Sequence, residues 1–122
     1  MKRILIVDDE EDFGYSVQTS LQATGDCHVE VANDGFRGLA SARSRPPDLI
    51  LLDLQMPGMS GLEVLKELKR DMRTITVPVL VLTAVVDEAL KRRTANLYSQ
   101  GYLEKPASIE RLRERIQEVL DL

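Results

Sequence analysis

The sequence has almost no cysteine or histidine, and it has no tryptophan. Its one cysteine, Cys27, has no partner within the chain, which excludes an internal disulfide, and Cys27 with the one histidine, His28, cannot form a structural zinc site. Only four apolar residues separate Arg3 from Asp8, too few for a signal peptide, and no apolar run is long enough to cross a membrane. We therefore expect a cytoplasmic protein without membrane contact.

The chain also lacks a concentration of positive charge. Lys and Arg together number 16 against 20 for Asp and Glu, the formal net charge is -4, and the basic residues are scattered. Direct binding of nucleic acid by this chain is therefore not expected. Its 122 residues are enough for one domain, residues 1–122, that buries its own hydrophobic core.

Short apolar runs alternate with longer amphipathic patterns along the chain. The runs lie at 4–7, 49–52, 79–82 and 102–103. Those at 49–52 and 79–82 contain no alternating polar residues, which is typical of central parallel strands covered by helices on both faces. The pattern predicts five β-α units and an α/β fold on a parallel sheet.

Local signals mark several helix starts. The turn 33–35 precedes one helix, Ser60 and Glu63 form a capping box ahead of another, and Ser108 is placed to cap the last. The helix after the turn at 33–35 has apolar residues at Phe36, Leu39 and Ala40.

Polar residues follow the predicted strands at the points where they end. Asp8 and Asp9 follow the first strand, Asp53 the third, Thr83 the fourth and Lys105 the fifth. The ligand crevice of an open parallel sheet lies beyond the carboxyl ends of its strands, so these side chains are expected to converge. Such carboxylates beside an anionic substrate suit Mg²⁺. The acids that come next are interpreted as a solvated helix start, namely Glu10, Glu11 and Asp12.

Four segments carry specific motifs: 4–10 (ILIVDDE), 51–61 (LLDLQMPGMSG), 82–84 (LTA) and 102–106 (YLEKP). With these motifs the chain resembles, over essentially its full length, the receiver domain of bacterial two-component response regulators. The resemblance implies a flavodoxin-like, doubly wound fold: a single five-stranded parallel sheet in the order 2-1-3-4-5, with five helices on both faces.

The resemblance also implies roles for the acids. Asp53 would accept a phosphoryl group from a phosphohistidine on a sensor histidine kinase or a histidine phosphotransfer protein. Asp9 would bind Mg²⁺ directly and Asp8 through water, and Asp53 and the backbone carbonyl of Gln55 would complete the protein ligands.

The remaining motif residues are implied to bind the phosphoryl group and to switch the domain. Thr83 and Lys105 would bind phosphoryl oxygens, with the Lys105-Pro106 peptide bond in the cis form. Tyr102 would turn inward as Thr83 moves, changing the face formed by the fourth helix, fifth strand and fifth helix. That face would be read by a downstream effector or output domain, with a phosphorylation-dependent dimer as a further expectation. The domain would catalyse only its own phosphorylation and dephosphorylation.

Three other functions are compared with the same residues by what each requires of them. A flavodoxin-type module needs a phosphate-cradling loop after the first strand, where the acids from Asp8 to Asp12 would repel phosphate. An aspartate-nucleophile phosphatase of the haloacid dehalogenase type needs a second acid two residues after Asp53, and that position is Gln55. A phosphorylation-independent pseudo-receiver, acting only as an interaction domain, stays as a minor alternative, although none of the key residues is missing.

Overall fold

The computed structural model describes residues 1–84, 88–95, 101–105 and 107–120. The strands are β1 (Lys2–Val7), β2 (Cys27–Ala32), β3 (Leu49–Leu52), β4 (Val79–Thr83) and β5 (Gly101–Glu104). The helices are α1 (Glu11–Gln22), α2 (Gly35–Ser44), α3 (Gly61–Arg70), α4 (Glu88–Ala95) and α5 (Ile109–Leu120). Within these ranges no helix is both long and apolar enough to span a bilayer.

The strands form one parallel sheet in the order β2-β1-β3-β4-β5, which confirms the predicted fold. Val7 at the end of β1 lies opposite Leu52 at the end of β3, so the residues that follow these two strands leave the sheet side by side. Thr83 at the end of β4 lies opposite Glu104 at the end of β5. The register therefore gathers four chain segments at one edge of the sheet.

Two apolar clusters cover the two faces of the sheet. One packs α2 and α3 against the sheet through residues such as Leu39, Leu65 and Leu68. The other packs α1 and α5 against the opposite face through residues such as Val17 and Ile116. Because both faces are covered, β3 and β4 are buried along their whole lengths, as their unbroken apolar sequences predict.

The predicted helix starts are confirmed. Asp34 caps α2 by accepting the Arg37 N–H at 2.7 Å. Ser60 and Glu63 form the reciprocal capping box of α3. The Ser108 hydroxyl oxygen accepts the Arg111 N–H at 3.0 Å at the start of α5.

Helix α2 is rotated relative to the face expected from its apolar residues. Phe36 is 65% exposed and Ala40 is also exposed, whereas the glycines of α2 are buried. A Cβ on Gly38 would lie 2.8 Å from both methyl groups of Val7. The helix therefore approaches β1 too closely for a side chain at Gly38, and its buried face combines Gly35 and Gly38 with Leu39 and Ala42.

Candidate functional site

Two buried aspartates lie side by side at the carboxyl edge of the sheet. The Asp8 N–H donates to the Ala32 carbonyl at 3.1 Å, and the Asp53 N–H donates to the Val7 carbonyl at 3.0 Å. These bonds continue the strand ladders by one residue and hold both backbones firmly. Asp8 is 2% exposed and Asp53 is 4% exposed. The predicted convergence of these two side chains is confirmed.

Lys105 reaches the same point from the end of β5. Its N–H donates to the Thr83 carbonyl at 2.9 Å, which extends the β4–β5 pairing. Its ammonium nitrogen lies 2.7 Å from Asp8 Oδ2, 3.2 Å from Glu10 Oε1 and 3.7 Å from Asp53 Oδ2. One ammonium therefore contacts three carboxylates that come from two different strand ends.

Glu10 belongs to this cluster of carboxylates around Lys105, although its sequence position predicts only a solvated helix start. It occupies the N-cap position of α1, but its side chain makes no cap hydrogen bond and instead accepts from the Lys105 ammonium. Its backbone N–H donates to Asp8 Oδ1 at 2.9 Å, which turns the chain at the end of β1. The side chain of Glu10 is 62% exposed, so it forms the solvent side of the cluster.

Burial and charge shift the pKa values of the two central groups. Burial raises the pKa of the Asp8 carboxyl, the nearby Asp53 charge raises it further, and the hydrogen bond from Lys105 only partly opposes this. Burial alone would lower the pKa of Lys105, but its hydrogen bond to Asp8 and the charges of Asp8 and Asp53 outweigh burial and raise it. The shift of Asp8 is therefore mainly an effect of burial, whereas the shift of Lys105 reflects the carboxylates around its ammonium.

The donor set fits a hard divalent cation. Carboxylate oxygens of Asp8, Glu10 and Asp53 all lie within 4.8 Å of one another. Mg²⁺ prefers oxygen ligands of this kind and tolerates a site with few carboxylates. Asp9 is exposed and is not part of this group, so its predicted role as a direct ligand stays a prediction.

The loop that follows Asp53 lies directly against the site. The Gln55 N–H donates to Asp53 Oδ1 at 3.1 Å, and Gln55 itself is exposed. Gly58 has a φ of 77°, the left-handed backbone that favours glycine in the Pro57-Gly58 turn. The Gly61 N–H donates to the Leu54 carbonyl at 3.1 Å, which joins the start of α3 to this loop.

The predicted switch residues lie on β4 and β5. Thr83 is fully buried at the end of β4, at the same edge of the sheet as Asp53. Tyr102 is partly buried against the apolar cluster beneath α2 and α3, and the Lys91 ammonium lies 5.1 Å from its ring centroid. The predicted cis peptide bond involves Pro106, which lies outside the described residues.

Comparison with known proteins gives one consistent family. A family model described as the response regulator receiver domain matches residues 4–117. Protein PilH of Pseudomonas aeruginosa is 36% identical over 98% of this chain and 98% of its own length. The transcriptional regulator RpaA of Synechocystis is 38% identical over 98% of this chain but only 49% of its own length. The chain thus spans about half the length of several curated relatives that it matches.

Solved structures agree with this assignment. The chemotaxis protein CheY4 of Vibrio cholerae has a TM-score of 0.91 at 33% identity, covering 98% of this chain and 99% of CheY4. A CheY-like receiver domain protein of Methanospirillum hungatei has a TM-score of 0.92 at 29% identity, covering 99% of this chain and 94% of that protein.

Proposed function

The chain belongs to the response regulator receiver domain family, and on that premise we propose that it is a phosphorylation-dependent signalling switch of a two-component system. The domain, residues 1–122, would accept a phosphoryl group on Asp53. The observation that carries the proposal is the buried Asp53 carboxylate with the Lys105 ammonium 3.7 Å from its Oδ2. A receiver domain is a signalling domain rather than a conventional enzyme, and the only reactions proposed are its own phosphorylation and dephosphorylation.

The proposed reaction is a phosphoryl transfer to a carboxylate. An oxygen of Asp53 attacks the phosphorus of a phosphohistidine, the new P–O bond forms as the P–N bond breaks, and the electron pair of the P–N bond leaves with the imidazole. Lys105 and the Thr83 hydroxyl bind the phosphoryl oxygens once they lie beside Asp53. Lys105 needs no large movement, because its ammonium already lies next to the attacking carboxylate.

The acidic cluster supports Mg²⁺ as the cofactor. Asp9 and Asp53, the backbone carbonyl of Gln55, and Asp8 through water would hold the ion, and the Glu10 carboxylate lies close enough to contribute. When bound, Mg²⁺ would offset the repulsion between the Asp53 carboxylate and the phosphoryl oxygens.

The proposed switch is a shift in the population of two conformers. Phosphorylation favours the conformer in which Thr83 reaches the phosphoryl group, and Tyr102 then turns inward. The face built from α4, β5 and α5 changes as a result. Its contacts include the ion pair between Lys91 of α4 and Glu104 of β5, at 2.9 Å.

The proposed partners follow from the family. A sensor histidine kinase or a histidine phosphotransfer protein supplies the phosphoryl group, a downstream effector or output domain reads the changed face, and the phosphorylated form dimerises. The proposed location is the cytoplasm, without direct contact to nucleic acid or membrane by this domain.

Phosphorylation of the purified protein tests the proposal. With Mg²⁺ and acetyl phosphate, intact mass spectrometry should show the gain of one phosphoryl group in the wild type and in the control Asp26→Asn, and no gain in Asp53→Asn. A gain that persists in Asp53→Asn would contradict Asp53 as the acceptor. No gain in the wild type would favour the phosphorylation-independent interaction domain.

A further inference from the structure

The Lys105 ammonium also faces an aromatic ring. It lies 4.3 Å from the centroid of the Phe13 ring, on the first turn of α1. Phe13 is partly buried and packs against the apolar cluster between the sheet and α1 and α5. The ring is therefore fixed by packing and presents its face to the ammonium.

A cation over an aromatic face is attracted by the ring quadrupole when it lies within about 6 Å of the centroid. The attraction is strongest where water is excluded, and the Lys105 side chain is only 11% exposed. A lysine head group on a flexible four-carbon chain has no geometric preference of its own, so its position depends on such neighbours.

The three carboxylates that contact the Lys105 ammonium are not constant partners in the proposed reaction. Asp8 and Asp53 would be drawn into binding Mg²⁺ and the phosphoryl group, and Glu10 is mostly exposed and free to turn toward solvent. The Phe13 ring neither ionises nor binds Mg²⁺, so its attraction for the ammonium persists when the carboxylates are occupied.

We propose that Phe13 is a positioning residue that holds the Lys105 ammonium beside Asp53 when the carboxylates bind other groups. This inference rests on the proposed function, because it assigns a role within the same site. It predicts that the electronic character of the ring at position 13, and not only its volume, sets the rate at which Asp53 is phosphorylated.

The first measurement does not depend on phosphorylation. The side-chain methylene protons of Lys105 nearest the ammonium should show an upfield ring-current shift by NMR, both without metal and with saturating Mg²⁺. Phe13→Leu should abolish the shift. Phe36→Leu should leave it unchanged, because Phe36 is the only other phenylalanine in the chain and its side chain is largely exposed on α2.

The second measurement is the phosphorylation rate with acetyl phosphate at saturating Mg²⁺. Phe13→Leu should slow the reaction about five- to thirty-fold, Phe13→Tyr should restore most of the rate, and Phe36→Leu should match the wild type. Phenylalanines with one, two and three ring fluorines at position 13 withdraw electron density at nearly constant volume, and they should slow it progressively. Melting temperatures of the fluorinated proteins identify any loss that comes from misfolding.

The outcomes separate the two proposals. A rate that is independent of ring fluorination, or a Lys105 shift that disappears when Mg²⁺ is added, would overturn the role of Phe13. If no variant is phosphorylated, including Phe36→Leu, the proposed function fails, and the Lys105 shift under Mg²⁺ alone still decides whether Phe13 holds the ammonium.

Discussion

Gly61 packs directly against the backbone carbonyl of Asp53. A Cβ on Gly61 would overlap the Asp53 carbonyl oxygen and would lie 2.6 Å from the Leu54 Cα. Gly61 is also the first residue of α3, which the Ser60 capping box fixes in place. The start of α3 can therefore lie this close to the candidate phosphoacceptor only because residue 61 has no side chain.

We expect Gly61→Ala to destabilise the fold by about 1–3 kcal/mol or more, because backbone atoms rather than a flexible side chain have to move. It should also slow phosphorylation, since the displaced carbonyl belongs to Asp53. The free energy of unfolding from urea titration tests the first effect.

Gly58→Ala is the control: its Cβ would meet nothing within 4 Å, so it carries only the strain of its left-handed backbone, about 1–2 kcal/mol. If both variants lost the same free energy of unfolding and both were phosphorylated normally, the close contact at Gly61 would have no special role.

Mg²⁺ should raise the melting temperature, because only the folded chain gathers the carboxylates of Asp8, Glu10 and Asp53. At a free concentration 100 times the dissociation constant, the stabilisation would be about 2.7 kcal/mol. Asp9→Ala, which removes the proposed direct ligand of the ion, should remove most of the response. Asp26→Asn, which changes an acid that is neither in the cluster nor among the proposed ligands, should retain it. A melting curve of the wild type that does not change with Mg²⁺ would count against the metal site.

The strand-end residues were predictable because a topological rule links distant parts of the sequence. Unbroken apolar runs identified β3 and β4 as central parallel strands, and parallel strands place the residues after them at one edge. That reasoning locates Asp8, Asp53 and Lys105 without knowledge of any contact. It needs only the order of strands and helices along the chain, which the alternation of short apolar runs with longer amphipathic segments already indicates.

Contacts that depend on side-chain direction were not predictable in this way. Glu10 is one of five consecutive acids, and nothing local indicates which of them reaches Lys105, 95 residues further along the chain. The exposure of Phe36 could not be predicted for a different reason. The buried face of α2 includes Gly35 and Gly38, and a pattern of hydrophobic residues cannot reveal a face that packs through glycine.

The Asp71 carboxyl should titrate far below its ordinary value of 3.8. Hydrogen bonds from the Arg73 side chain at 2.7 and 3.1 Å and from the Arg73 N–H at 2.8 Å lower its pKa to about 2. Because the folded pKa is below the unfolded one, the stability that Asp71 contributes is present above about pH 4 and is lost as the pH falls toward 2. The carboxyl carbon shift of Asp71 followed by NMR measures the midpoint directly.

Two variants distinguish the partners of Asp71. Arg73→Ala should raise the midpoint of the Asp71 titration well toward 3.8, because Arg73 donates three hydrogen bonds to this carboxyl. Arg43→Ala should raise it less, because Arg43 contributes an ion pair through its Nε, 3.1 Å from Asp71 Oδ2. A larger change in Arg43→Ala would show that the contact to Arg43 dominates instead.

Lys69 should stabilise the connection between α3 and β4. Its ammonium donates to the Val77 carbonyl at 2.8 Å and to the Ile75 carbonyl at 3.2 Å, while burial lowers its pKa. The two effects oppose each other, because burial destabilises the charged ammonium and its hydrogen bonds to the two carbonyl oxygens stabilise it.

Lys69→Met keeps the apolar stem but leaves both carbonyl oxygens without a charged donor. We expect the free energy of unfolding, measured by urea titration, to fall by about 1 kcal/mol. Lys66→Met, one turn earlier on α3, should change stability by less than about 0.5 kcal/mol. The Val77 amide, which donates to the Thr74 carbonyl at 3.0 Å, should exchange with solvent faster in Lys69→Met only. Equal stability and equal exchange in the two variants would mean that the cost of burying the ammonium cancels its hydrogen bonds, and the loop would then be held by its backbone turns alone.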